Sequence, residues 1–229
     1  MNKLLSKIHR KWIKIRLQPI RVFCLHHVTM MYDESSMNYK DWMAKDVFQK
    51  KVIDLRKSGV EFISLTEAYR HICVDRIRTK KYAVLTFDDG YSSLKEILPW
   101  LEEQHIPVTL FINSKYLDGK SFRNNSNERY ITKDELFELD HSLIEIGSHW
   151  WEHVNTDKLS DEEFEKGERI NINLLSNHSR FVPFHAYTYG HYRHSLNNIL
   201  ADLNMVPVYI DGMRNYNERY CVHRELLRI

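Results

Sequence analysis

From Arg21 to Ile210 the chain alternates short apolar runs with amphipathic stretches, and this alternation limits the fold more than any other feature. RVFCLHHV, VEFISL, KYAVLTF, PVTLFI, SLIEIGSH, RFVPFHAY and MVPVYI are of strand length and rich in β-branched and aromatic residues. Helical patterns lie between them: residues 40–58, TEAYRHI, YSSLKEILPWLEEQHI, TKDELFEL with Thr132 as the expected N-cap, residues 160–177 and residues 192–203. Apolar strands alternating with amphipathic helices make a parallel sheet covered by helices. About seven such units predict an α/β fold closed, or nearly closed, into a barrel. The 229 residues suit one such domain, and no repeat, low-complexity tract or linker divides them. Between Asn113 and Tyr130 the chain is polar and without period, which predicts a long surface loop of the kind that lines sites.

The domain is expected over residues 19–229, behind a basic amphipathic helix over residues 1–18 that ends before Pro19. Leu5, Ile8, Trp12 and Ile15 recur at helical spacing, with Lys7, Arg10, Lys11 and Lys14 between them. Packing on the domain's outer wall is the first expectation for this helix; peripheral contact with an anionic membrane through residues 1–16 is the second. No apolar h-region opens the chain, so no signal peptide is expected, and no run of about 18 apolar residues predicts a membrane span. Three cysteines without a CxxC pair point to a reducing compartment. Together these predict a cytoplasmic protein, peripheral at a membrane if the first helix binds one. A net charge of +2 carries no nucleic-acid signature, and 43% hydrophobic content excludes a disordered chain.

Two adjacent carboxylates, Asp88 and Asp89, follow the run KYAVLTF and meet Gly90. They could open a helix, since Asp is a good N-cap. They could also stand at the mouth of a buried strand, where α/β proteins keep their chemistry. About sixty residues on, EIGSHWWEHVN places His149 and His153 four apart, both on one face of a single turn. Two imidazoles and one carboxylate are the open-position ligand set of a hydrolytic zinc site. FHAYTYG, with its turn at Gly190, and CLHHV, with His26 and His27, end two further strands. In a parallel sheet all four strand ends converge on one face.

The order TFDDG, then SHxxxH, then an aromatic-Tyr-Gly turn resembles the polysaccharide deacetylases of carbohydrate esterase family 4, over roughly residues 20–225. The resemblance implies a distorted (β/α) barrel of seven strands that removes acetyl groups, usually N-acetyl, from sugars. It implies Asp88 as catalytic base, Asp89, His149 and His153 as ligands of one divalent metal, commonly zinc, and the backbone N–H of Tyr189 as oxyanion donor. A histidine after a late strand is the general acid in many relatives. LHHV instead matches a branch, acting on exported or cell-surface amino sugars, that has this strand at the front. His26 is therefore the expected acid, His223 its competitor, and His27 should face the opposite side. The expected substrate is an N-acetylated sugar or glycoconjugate of surface polysaccharide metabolism.

Three positions depart from the family pattern. Trp150 replaces a Ser or Thr that would brace the metal loop, Ala186 an arginine that would orient the base, and Thr188 a proline that would stiffen the turn. Three other readings compete. HWWEH also fits the H-x-x-E-H metalloprotease pattern with Glu152 as base, which requires a long helix through both histidines. A carbohydrate-binding pseudoenzyme and a hydrolase of another small amide share the same fold.

Overall fold

The computed structural model describes residues 18–29, 42–75, 78–120, 129–216 and 220–227. The basic helix expected over residues 1–16 lies outside the described residues. In chain order the regular elements begin with β1 (Ile20–Leu25), β2 (His27–Thr29), β3 (Trp42–Ala44), α1 (Lys45–Lys57), β4 (Val60–Phe62), α2 (Leu65–Val74) and β5 (Lys81–Phe87). They continue with α3 (Leu98–Glu103), β6 (Val108–Ile112), α4 (Lys133–Glu138), β7 (Ile144–Ser148) and α5 (Asp161–Leu175). The chain closes with β8 (Phe181–Ala186), α6 (His194–Asp202), β9 (Val206–Ile210) and β10 (Val222–Leu226).

Seven parallel strands close on themselves in the order β1-β5-β6-β7-β8-β9-β10, with β10 returning to β1. β4 stands outside the ring, pairing with Lys81–Ala83 of β5, while β6 takes the other half of the strand from Leu85. The β10–β1 seam has only two registered pairs, Phe23 with Glu225 and Cys24 with Leu226. Below it Asn215 exchanges backbone hydrogen bonds with Ile20, and the buried Arg78 guanidinium donates to the carbonyls of Gln18, His71, Asn215 and Tyr216.

Strand parity sorts the side chains. Val22, Val84, Phe111, Phe184, Val208 and Val222 pack together inside the barrel, with Ile63, Leu65 and Ile72 of the α2 segment joining the same cluster. Phe23, Ala83, Leu85, Leu110 and Ile146 point the other way, into the layer shared with α1, α3 and α4. Gly147 is required here, because a Cβ would sit 2.6 Å from the Phe111 ring that fills the barrel.

The sequence reading and the structure differ locally. The run expected as one strand over residues 21–28 breaks at His26 into β1 and β2. The helix expected from residue 40 starts at Lys45, after β3, and the one expected from Tyr91 divides into a 3₁₀ turn, Ser92–Glu96, and α3. β10 was not among the expected strands. Among the described residues no helix is long and apolar enough to cross a membrane.

Candidate metal centre

The Asp88–Asp89 pair caps no helix. Asp88 N–H donates to Leu25 O at 2.9 Å, extending the β5–β1 ladder by one residue. The chain then turns through two left-handed residues, Asp89 (φ 72°) and Gly90 (φ 79°). Asp tolerates that region better than most residues, and such strain is held where the surroundings fix it. Strand parity continues through the turn, so Asp88 projects into the barrel with Val84 and Thr86.

Arg224 meets it there. From β10 the fully buried guanidinium crosses the Phe111 ring (5.1 Å to its centroid) and grips Asp88 with both prongs, Nη1 to Oδ1 at 2.6 Å and Nη2 to Oδ2 at 3.0 Å. Arg224 Nη1 also donates to Thr86 Oγ1 (3.1 Å), and the Cys24 thiol donates to Asp88 Oδ2 (3.4 Å). Burial pushes the Asp88 pKa up, but the charges of Arg224, His149 and His26 outweigh it and hold the carboxyl below its ordinary range. Burial pushes the Cys24 thiol well up, so it stays protonated as a donor.

His149 follows β7 directly. Its Nδ1 donates to Ala186 O at 2.7 Å, so Nε2 is the ring nitrogen turned toward Asp89. That Nε2 stands 3.3 Å from Asp89 Oδ1, and His153 Nε2 stands 3.2 Å from the same oxygen. Asp89 Oδ1 is buried and has no hydrogen-bond partner among the described residues. One ligand atom from each of Asp89, His149 and His153 lies within 4.8 Å of the others. A carboxylate oxygen left without a donor and faced by imidazole nitrogens suits a divalent cation, and the donor set is that of a zinc site with open positions. Burial works against the Asp89 carboxylate, yet the two histidines and His26 hold its pKa well below the ordinary range.

Between the two histidines the chain bends without forming a helix. Trp150 is left-handed (φ 61°), and Glu152 pairs with Lys115 at 2.6 Å. The long helix that the H-x-x-E-H reading requires is therefore absent from residues 149–155. Other groups take over the bracing lost at the three departures. Asn113 donates its amide to the carbonyls of His149 and Trp150. The Trp150 indole donates to Phe164 O (2.9 Å). The Thr188 hydroxyl donates to Val154 O, tying the TYG turn to the histidine loop. Arg224 takes up the orienting contact for which Ala186 has no side chain.

A cavity of about 370 Å³ opens over these groups, its wall including His26, Tyr91, Tyr130, Tyr187 and Tyr189. His26 Nδ1 is buried without a partner among the described residues, and a ring nitrogen lies within 4.8 Å of Asp88 and Cys24 ligand atoms. Tyr189 is left-handed (φ 56°), 62% exposed, and edge-on to His153 at 4.3 Å. His27 faces away, stacked on Tyr91 (3.7 Å) and tilted against Trp42 (4.5 Å). His223 is outside the cavity wall, its Nδ1 held by Asp211 at 2.7 Å. The loop from Asn113 reaches the site at both ends. Tyr130 lines the cavity and stacks on Tyr116 (4.8 Å), whose hydroxyl accepts from His153 N–H.

Arg224 stands at the candidate site but, like Cys24, Tyr91, Tyr130 and Tyr187, was not singled out from the sequence. Its signal was an arginine at an inward position of CVHREL, two residues from Val222 and Leu226 alike, but a strand carrying His, Arg and Glu shows no apolar run to announce itself.

Fold and side chains together define a (β/α) barrel with a candidate metal centre at the C-terminal ends of its strands. The family model "Polysaccharide deacetylase" matches residues 75–208, more than half of the chain, and the chain belongs to that family. The match includes Asp88, Asp89, His149, His153 and Tyr189; β1 and β10, with His26 and Arg224, lie outside it. YxkH of Bacillus subtilis (strain 168), which carries the same family name, is 23% identical over 135 residues, 58% of this chain and 46% of YxkH. The matched region thus spans about half the length of that relative. Solved structures share the fold. The Streptococcus pyogenes deacetylase PplD, in complex with acetate, aligns with a TM-score of 0.80 at 19% identity, covering 93% of each chain. IcaB from Ammonifex degensii aligns with a TM-score of 0.76 at 18% identity, again over 93% of both.

Proposed function

We propose that this chain is a metal-dependent deacetylase that hydrolyses an N-acetyl group on a sugar or glycoconjugate. The observation that carries the reading is the Asp89 oxygen, buried without a hydrogen-bond partner among the described residues and faced by two imidazole nitrogens, one residue from a carboxylate locked by Arg224. Asp89, His149 and His153 would hold the ion. Bound there, a divalent cation supplies Lewis-acid charge for the acetyl carbonyl and lowers the pKa of water from about 16 toward 7. Asp88 takes the proton of the attacking water; it is ionised at neutral pH and aimed by the two-pronged arginine. The backbone N–H of Tyr189 donates to the carbonyl oxygen as charge develops on it. His26 gives a proton to the departing nitrogen, because an unprotonated amine is a very poor leaving group. The products are acetate and a free amino sugar. Tyr189, exposed in the cavity wall, offers a ring face and a hydroxyl suited to a pyranose.

The test is acetate release by the zinc-loaded chain from N-acetylated amino sugars presented free, as oligosaccharides, nucleotide-linked and lipid-linked. At least one should release acetate, and Asp88→Asn should reduce that rate by about 10³ or more while still binding zinc. No acetate from any form, or an Asp88→Asn variant as fast as wild type, would refute the proposal.

A further inference from the structure

β7 and β8 lose even register just before the site. Ile146 pairs with Phe181 and Ser148 with His185, so two steps along β7 (146 to 148) face four along β8 (181 to 185). The ladder resumes at the Ser148–His185 pair, and side chains there add to it. Glu168 of α5 reaches both. Its Oε2 accepts from Ser148 Oγ at 2.9 Å, and its Oε1 lies 2.9 Å from His185 Nδ1. Glu168 and His185 are both fully buried. The His185 ring stands edge-on against Phe164 (5.5 Å) and Tyr187 (4.8 Å), with no hydrogen-bonded partner among the described residues beyond this ion contact. Asn171, three residues along α5, donates to Ser148 Oγ (2.8 Å) and Ile112 O (2.9 Å) and accepts from Ser114 N–H (2.8 Å).

Ser148 immediately precedes His149, and His185 immediately precedes Ala186, whose carbonyl takes the His149 Nδ1 proton. One carboxylate therefore fixes both backbone points that aim His149 Nε2. Two buried ionisable side chains in contact add no more stability than well-packed apolar residues would, which leaves position as what they contribute. We infer that Glu168 is a positioning residue for the metal centre, locking the ends of β7 and β8 so that His149 meets the ion correctly. The inference rests on the proposed role of Asp89, His149 and His153 as ligands. Outer partners of this kind typically change metal affinity 10–100-fold when removed.

Zinc affinity, measured by competition with a chromogenic chelator and set beside the melting temperature of the stripped chain, separates position from stability. Glu168→Leu should weaken zinc binding about 10–100-fold and shift the absorption spectrum of the cobalt-loaded chain. Glu168→Gln, which keeps the shape of the side chain and can still accept from Ser148 Oγ, should recover affinity to within about threefold of wild type. Val52→Ala, which loses core packing outside this network, should lower the melting temperature and leave zinc affinity unchanged. Should Glu168→Leu not fold, Ser148→Ala cuts the same link at its other end and should weaken zinc about 5–10-fold. Unchanged zinc affinity in folded Glu168→Leu, or in Ser148→Ala, overturns the inference while leaving the proposed function standing. A wild-type chain that binds no zinc overturns both.

Discussion

His26 and His27 are neighbours with opposite fates, and strand parity is the reason. Inward positions on β1 run through Val22 and Cys24 to His26, while His27 falls on the outer side, between Trp42 and Tyr91. His26→Ala should therefore lower kcat by about 10²–10⁴ and leave zinc affinity nearly intact. His223→Ala, whose ring is tied to Asp211 outside the cavity wall, should leave kcat within about twofold. Loss of turnover in His223→Ala, with His26→Ala active, would move the acid to β10. Arg224→Met strands Asp88 as an uncompensated buried charge, which should cost about 3–5 kcal/mol of stability and lower kcat as well. Chemical denaturation and acetate release check the two halves of that expectation. Asp88, Asp89, His149 and His153 were legible in the sequence because each sits in a short contiguous motif beside an apolar run. Arg224 was not, because its contact is made across 136 residues, from a strand whose alternation is interrupted by charge.

At the scale of elements, Trp150 shows how a local departure is absorbed. Its indole fills a slot over α5 that exists because residue 167 is glycine; a Cβ there would collide with the ring. Gly167→Ala should expel the indole, destabilise the chain by about 1–3 kcal/mol, and loosen the His149–His153 loop enough to weaken zinc. Adding Trp150→Leu should return part of both losses, and a Gly167→Ala chain with unchanged stability would show that the slot is not tight. Trp150 was readable as a departure, but its partner could not be read, because the contact joins a loop to a helix face. α4 offers a pH test. Glu135 is held below its ordinary pKa of 4.5 mainly by its bonds to Arg129, with Lys95 and the Thr132 backbone adding to them. A depressed carboxylate stabilises the fold above its unfolded pKa and loses that contribution as pH falls through the folded one. Glu135→Gln should thus melt about 2 °C below wild type at pH 7, with the gap closing as pH falls from about 4.5 toward 3. A gap independent of pH would contradict this. The capping box at Thr132 was anticipated in part, since Thr132 was expected as N-cap. β3 was not, because a three-residue strand carries no periodicity, and β2 was read as the end of β1.

Across the whole molecule, closure of the barrel is what turns separate strand ends into one site. The α/β barrel was legible from the alternation of elements, but its closing strand, β10, was not. The seam there is short, and Arg78 secures its lower end through four backbone carbonyls. Deleting residues 1–16, outside the described residues, should leave turnover of a soluble acetylated sugar within about twofold and reduce binding to anionic vesicles. Equal vesicle binding by both chains would remove the membrane role proposed for that segment. The central claim is that Asp89, His149 and His153 hold the one ion on which hydrolysis depends. Its most direct test is to strip the chain with chelator and follow acetate release from an N-acetylated amino sugar while zinc is added back. Release should rise from near zero and saturate at about one equivalent of zinc per chain, and His149→Ala should stay inactive at that ratio. Undiminished release by the stripped chain, or by His149→Ala, would contradict the account.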